Sequence, residues 1–211
     1  PPRSTLFPYT TLFRSGAIPT AGAGQMLLRT EYLSLDPYMR GRMSDAPSYA
    51  APVGINEVMV GGTVATVVTS DIDGFAPGDW VLSFSGWQDY AVSDGTGVTN
   101  LGKSPAQPSW ALGIMGMPGF TAWAGLTQIG TPKSGETIAV AAATGPVGAT
   151  VGQIGKILGC RVIGIAGGPE KCAYAVNELG FDACIDHKAP DFAEQLAKAS
   201  QIGRASCRER V

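Results

Sequence analysis

ETIAVAAATGPVGATVGQIGKILGCRVIGIAGGPEK, residues 136–171, decides the fold. Its opening, Thr137-Ile138-Ala139-Val140-Ala141-Ala142, is long enough for one buried strand and too short for a helix. Ala143-Thr144-Gly145-Pro146-Val147-Gly148 follows as a GxGxxG-type turn with alanine at the first small position. The next residues predict a helix with Val147, Val151, Ile154 and Leu158 on one face, stopped by Gly159. Arg161 to Ala166 is a second apolar run, so the stretch reads strand, glycine turn, helix, strand.

That order gives the glycines a mechanism. Gly145 admits a pyrophosphate to the backbone, Gly148 lets the helix approach the strand, and free N–H groups at the helix start hold phosphate oxygens. Gly152 and Gly155 extend the close helix contact. A glycine pattern alone is weak in a chain with 29 glycines in 211 residues, and a tight turn in a ligand-free sheet is the plainer reading. The flanking strands and the helix stop favour a dinucleotide loop. NAD-binding chains usually place an acid at the end of the second strand, for the ribose 2′-hydroxyl. Here Ala166-Gly167-Gly168-Pro169-Glu170-Lys171 leaves room for a 2′-phosphate and supplies Lys171 as its cation. Glu170 could be argued for NAD, but it follows Pro169 at a helix start, where an acid suits the dipole. NADP is the cofactor expected.

Composition narrows the class. With 45% hydrophobic and 15% charged residues, the chain suits one or two compact soluble domains. A net charge of −2 implies no nucleic-acid partner, and no apolar run reaches the ~18 residues of a membrane span. Cys160, Cys172, Cys184 and Cys207 form no CxxC pair, and a cytoplasmic location with free thiols is expected. The ends differ from the rest. Residues 1–15 repeat Thr-Leu-Phe without the period of any element, residues 202–211 are basic and polar, and together they hold five of nine arginines. Both resemble translated sequencing-adapter read-through, and are expected to be non-native. Between them, residues 16–201 carry 10 basic and 16 acidic residues, a net of −6. A signal peptide is the competing idea for the front end, but Pro8 and Arg14 interrupt its apolar core.

Upstream of the loop the pattern is that of short strands. Residues 25–35, 61–69, 80–84 and 87–92 read as strands, with Gly78-Asp79 as a hairpin-type turn and a proline-rich loop around Tyr49. Such spacing predicts a small, partly closed barrel. Residues 108–130 turn helical, with Gly116 and a Pro118-Gly119 break inside. After Lys171, Ala173–Leu179 reads as a helix, Ala183–Ile185 as a third strand and Phe192–Ala199 as a helix start. The expected division is therefore a barrel-like substrate domain over 16–115 and a partial nucleotide-binding domain over 116–201. A doubly wound domain has about six strands, and only three are visible, so the chain is read as a fragment.

Leu33-Ser34-Leu35-Asp36-Pro37-Tyr38-Met39-Arg40, Gly78-Asp79, Gly116-Met117-Pro118-Gly119-Phe120-Thr121-Ala122 and Ala142-Ala143-Thr144-Gly145-Pro146-Val147-Gly148 together resemble the zinc-independent medium-chain reductases. Within them the chain is similar to the NADPH-dependent curcumin, alkenal and prostaglandin reductases. The resemblance covers nearly all of residues 16–200. It implies an α/β protein with a GroES-like barrel domain followed by an incomplete Rossmann domain, usually homodimeric. It also implies hydride transfer from NADPH to the β-carbon of an α,β-unsaturated ketone or aldehyde, then protonation at the α-carbon. On the matching positions it assigns Gly145, Pro146, Val147 and Gly148 to the pyrophosphate and Lys171 to the 2′-phosphate. His187 stands where relatives carry a tyrosine that touches the same phosphate. Trp123 replaces a more usual tyrosine, and Thr121 is the polar contact expected beside the nicotinamide.

Other chemistry fits less well. Cys184 and His187 have CxxH spacing with Cys172 nearby, but no Cys or His precedes residue 160, so no metal is expected. His187 is the only histidine, and no Ser-His-Asp set is legible. Tyr49 and Tyr38 are candidates for the carbonyl hydrogen bond or for proton delivery, although packing in the barrel or lining the cleft explains them equally well. A quinone or enoyl-thioester reductase would share these motifs. A nucleotide-binding protein without catalysis, or an incomplete gene product, are the readings outside enzymology.

Overall fold

The computed structural model describes residues 14–200. Residues 1–13 and 201–211, which contain most of both end segments and Cys207, lie outside the described residues. The chain divides into two compact units between Pro108 and Ser109.

The first unit is built on β1 (Met26–Leu33), β2 (Thr63–Ser70), β3 (Trp80–Ser83), β4 (Tyr90–Ser93) and β5 (Thr99–Gly102), with one helical turn, α1 (Tyr38–Gly41), after Pro37. All pairings are antiparallel and the strand order is β4-β1-β2-β3-β5. Alternation selects the core: Met26 and Leu28 of β1 meet Ala65 and Val67 of β2 and Val81 of β3, with Ile72, Phe75 and Val98 packed around them. Each fully buried large side chain contributes about 1.5–3 kcal/mol. The tight turn before β3 is the one expected. Gly78 has φ +87°, and the Asp79 carboxylate accepts from the Ala76 N–H at 2.9 Å.

Of the partly closed barrel expected, the described residues show an antiparallel sheet and no closure: β4 and β5 stand at opposite ends of it and do not pair with each other. Strand spacing predicts antiparallel neighbours but not closure, which depends on a stagger summed over all strands. The polar strand β5 has no apolar alternation to reveal it. It is held by Asn100, whose side chain donates to the Gly74 carbonyl at 2.7 Å and to Asp79 at 3.0 Å.

The second unit opens with a 3-10 turn (Pro108–Leu112) and continues into α2 (Met117–Ala124) and a π-helical turn (Gly125–Gly130). Pro118-Gly119 does not break this helix but starts it, where proline has no intrahelical N–H to lose. Then follow β6 (Thr137–Ala141), α3 (Pro146–Ile157), β7 (Arg161–Ala166), α4 (Pro169–Asn177), β8 (Ala183–Asp186) and α5 (Phe192–Ser200). The three strands form a parallel sheet in the order β6-β7-β8, with Ala166 opposite Asp186 at the upper end of the last pair.

Helix α3 buries its glycines most deeply, and Val151 of the apolar face expected for it packs against the same core. Its buried positions are Gly148, Thr150, Gly152 and Gly155, while Ile157 is 83% exposed and Leu158 is exposed too. A side chain at Gly152 would enter the ring of buried Phe181, and one at Gly155 would meet Ile138 and Val162. The helix therefore lies on the sheet through its glycines. Gly159, at φ +77°, ends it as expected. Beneath lie Val140, Ala143, Val162, Ala175 and Phe181.

Candidate functional site

At the C-terminal ends of the three parallel strands lies a groove of about 580 Å3. Parallel strands bring these ends to one edge, which is where α/β sheets bind ligands. Ala141, Ala142, Thr144 and Gly145 contribute from the β6–α3 turn, Ile165 to Gly167 from β7, Lys171 from α4, and His187 and Lys188 from beyond β8.

Backbone strain shapes the β6–α3 turn. Ala142 has φ +48°, a left-handed conformation that costs a residue with a Cβ about 1 kcal/mol. This bend turns its carbonyl to accept from the Gly145 N–H at 2.8 Å, while the Ala143 N–H reaches the Ile165 carbonyl at 3.1 Å. A side chain on Gly148 would run into the Ala142 carbonyl, so the helix can start this close only with glycine there. Gly145 is the N-cap of α3, no side chain caps it, and Pro146 follows as the first helical residue. The first-turn amides are thus left for an outside acceptor.

The other end of the groove is cationic. Lys171, His187 and Lys188 all line it, and none of the lining residues is an acid. Glu170, the residue that could have argued for NAD, lies in the first turn of α4 and is not among them. Space is reserved for this cluster: a Cβ on Gly167 would stand 2.9 Å from His187 Nε2 and 3.5 Å from Lys188 Cε. A turn without side chains, three nitrogen-bearing side chains and no carboxylate fit a phosphate on a ribose.

Asp186 and Lys188 were not singled out from sequence. Asp186 Oδ1 accepts from the N–H groups of Lys188 and Gly168, each at 2.9 Å. Those two bonds first, and then the neighbouring His187 and Lys188 side chains, hold its carboxyl below the usual carboxylate range. The signal available was the strand register, since pairing Ala166 with Asp186 brings His187 and Lys188 against Gly167.

The remaining predicted residues lie elsewhere. Thr121 is an exposed residue of α2 and does not line the groove. Tyr38 heads α1, half-buried. Burial and then Asp36 raise its phenol pKa, Tyr49 adds to this and Arg42 opposes it. Tyr49 is 85% exposed. Burial, followed by a hydrogen bond with Cys172, pushes the Cys184 thiol up to about 12. Among the described residues no three metal-binding side chains converge. Nor is any helix among them long and apolar enough to cross a membrane.

Known proteins match both units. A model described as the N-terminal domain of oxidoreductase matches residues 2–101, and one described as zinc-binding dehydrogenase matches 146–205. The NADPH-dependent curcumin reductase of Escherichia coli (strain K12) is 66% identical over 186 residues, 88% of this chain and 54% of the relative. The NADP(+)-dependent 2-alkenal reductase of Nicotiana tabacum is 38% identical over 169 residues, 79% of this chain and 49% of the relative. The crystal structure of CurA in complex with NADPH from Vibrio vulnificus superposes with a TM-score of 0.84 at 67% identity, over 88% of this chain and 55% of that one. The chain spans about half the length of the curated relatives it matches.

Proposed function

The chain belongs to the medium-chain dehydrogenase/reductase family, and from that premise we propose that it is the cofactor-binding and amino-terminal part of an NADPH-dependent reductase of conjugated C=C bonds. The observation that carries the reading is the acid-free groove in which Lys171, His187 and Lys188 converge across from the Gly145 turn. Its chemistry matches an adenosine 2′-phosphate at one end and a pyrophosphate at the other. The curcumin and 2-alkenal reductases to which the chain is similar support the substrate class.

In this reading Gly145, Pro146, Val147 and Gly148 hold the pyrophosphate against the start of α3, and Lys171, Lys188 and the His187 imidazole hold the 2′-phosphate. When bound, NADPH supplies a hydride. The substrate accepts it at the β-carbon of an α,β-unsaturated ketone or aldehyde, the double-bond electrons move onto the carbonyl oxygen, and a proton then adds at the α-carbon. Tyr49 and Tyr38 are the donors we assign to that oxygen or proton. Burial and Asp36 raise the Tyr38 pKa, which leaves the phenol a hydrogen-bond donor to that oxygen. Thr121 is assigned to the nicotinamide end. Completion of the first unit into a GroES-like barrel and of the second into a doubly wound Rossmann domain belongs to the same proposal. So do a division near residue 115, non-native ends at 1–15 and 202–211, a homodimeric whole protein, a metal-free site and a cytoplasmic location.

The test is a chimera in which residues 16–200 replace the matching portion of the longer E. coli curcumin reductase. NADPH consumption should depend on a conjugated enone and yield the saturated ketone. A folded chimera that binds NADPH but leaves enones untouched would overturn the reaction assigned.

A further inference from the structure

Asp186 ends β8 one residue before the cation pair, yet it does not itself line the groove. One of its oxygens takes both the Gly168 N–H, from the turn after β7, and the Lys188 N–H, from the turn after β8, at 2.9 Å each. The His187 N–H continues the tie to the Ala166 carbonyl at 3.0 Å. Gly168, the N-cap of α4, sits at φ +98°, so the turn leading to Lys171 has a conformation that needs anchoring. The turn that leads to Lys171 and the turn that carries His187 and Lys188 are thus tied through one carboxylate, beside the His187–Ala166 backbone bond.

We propose that Asp186 is a positioning residue for 2′-phosphate recognition, holding the Gly167–Gly168 turn and the His187–Lys188 tip together so that Lys171, His187 and Lys188 face a single anion. This rests on the NADP reading of the groove and goes further by naming what sets its selectivity. The charge of Asp186 works against its own role, because a carboxylate near a phosphate repels it. What the site uses is the acceptor oxygen. Asparagine keeps that oxygen and drops the charge, whereas alanine removes both.

The two substitutions therefore separate. Adenosine 2′,5′-bisphosphate and adenosine 5′-monophosphate are titrated calorimetrically into the 211-residue chain and its variants. The ratio of the two affinities reads the 2′-phosphate alone. Wild type should prefer the bisphosphate about tenfold or more. Asp186→Asn should keep or raise that ratio. Asp186→Ala should lower it about fivefold, the effect of losing one side-chain anchor on backbone N–H groups, with monophosphate affinity unchanged. A wild-type ratio near one overturns the NADP reading itself. A wild-type preference that survives in Asp186→Ala, or an equal loss for both ligands, overturns only the positioning role. If Asp186→Ala does not fold, Asp186→Gln, whose longer stem displaces the acceptor oxygen from the two N–H groups, replaces it: a fivefold fall in the ratio upholds the role, and an unchanged ratio overturns it.

Discussion

Replacing Lys171 with alanine should weaken NADPH binding and leave NADH binding nearly unchanged. Lys171 enters the groove from the first turn of α4, and the groove is open to solvent, so its charge acts through a high effective dielectric. Two unit charges 4 Å apart are worth about 1 kcal/mol in water and about 4 kcal/mol near a protein surface. A charge-assisted hydrogen bond contributes about 1.5–3 kcal/mol. His187 and Lys188 remain to share the phosphate, which places the loss toward the lower figure. That corresponds to roughly tenfold in NADPH affinity. The assay is calorimetric titration of each cofactor into wild type and variant at two ionic strengths. The gap between NADPH and NADH should narrow in the variant, and its salt dependence should shrink as a phosphate contact is lost. Equal weakening for both cofactors would refute the assignment of Lys171 to the 2′-phosphate.

Substituting Gly152 with alanine places a methyl group in the ring of buried Phe181 and should cost about 1–3 kcal/mol in chemical denaturation. Gly125, whose Cβ position is open, should accept the same change within about 0.5 kcal/mol. Acid should destabilise the second unit through Asp182. Burial raises this carboxyl's pKa, but the Lys156 ammonium at 2.7 Å and the Val162 N–H at 2.7 Å outweigh it and leave the value lowered. A folded pKa below the unfolded one stabilises above the unfolded value, about 3.9, and that stability is lost as pH falls through the folded value. Stability measured from pH 5 downward should therefore drop in wild type and drop less steeply in Asp182→Asn. A parallel fall in both would remove Asp182 from the acid transition.

The nucleotide turn was legible because its logic is local. A strand too short to be a helix, a glycine turn and a glycine stop all act within a few residues of themselves, and the structure keeps each one. Helix α3 shows where such reading fails. Periodicity placed Leu158 on the buried face, where it is exposed, whereas Gly152 and Gly155 make the close contact expected of them, because only residues without a Cβ let the helix approach Phe181 and Ile138. Hydrophobic periodicity tracks side-chain size, and this interface is set by its absence. Strand β5 failed for another reason: its place depends on Asn100 meeting Asp79, a contact no apolar pattern encodes.

The cation cluster combines both kinds of information. Lys171 follows from sequence because it closes the turn after the second parallel strand. Lys188 and Asp186 do not, since they reach the site only through the pairing of β7 with β8. Once Ala166 is opposite Asp186, the residues past each strand end are neighbours, and Gly167 leaves the space that His187 and Lys188 occupy. An acid at that level of the sheet would argue for a ribose hydroxyl if it faced the groove. Asp186 is instead bonded to the backbone behind it, so the same carboxylate that might have opposed a 2′-phosphate organises the cations around the place for one.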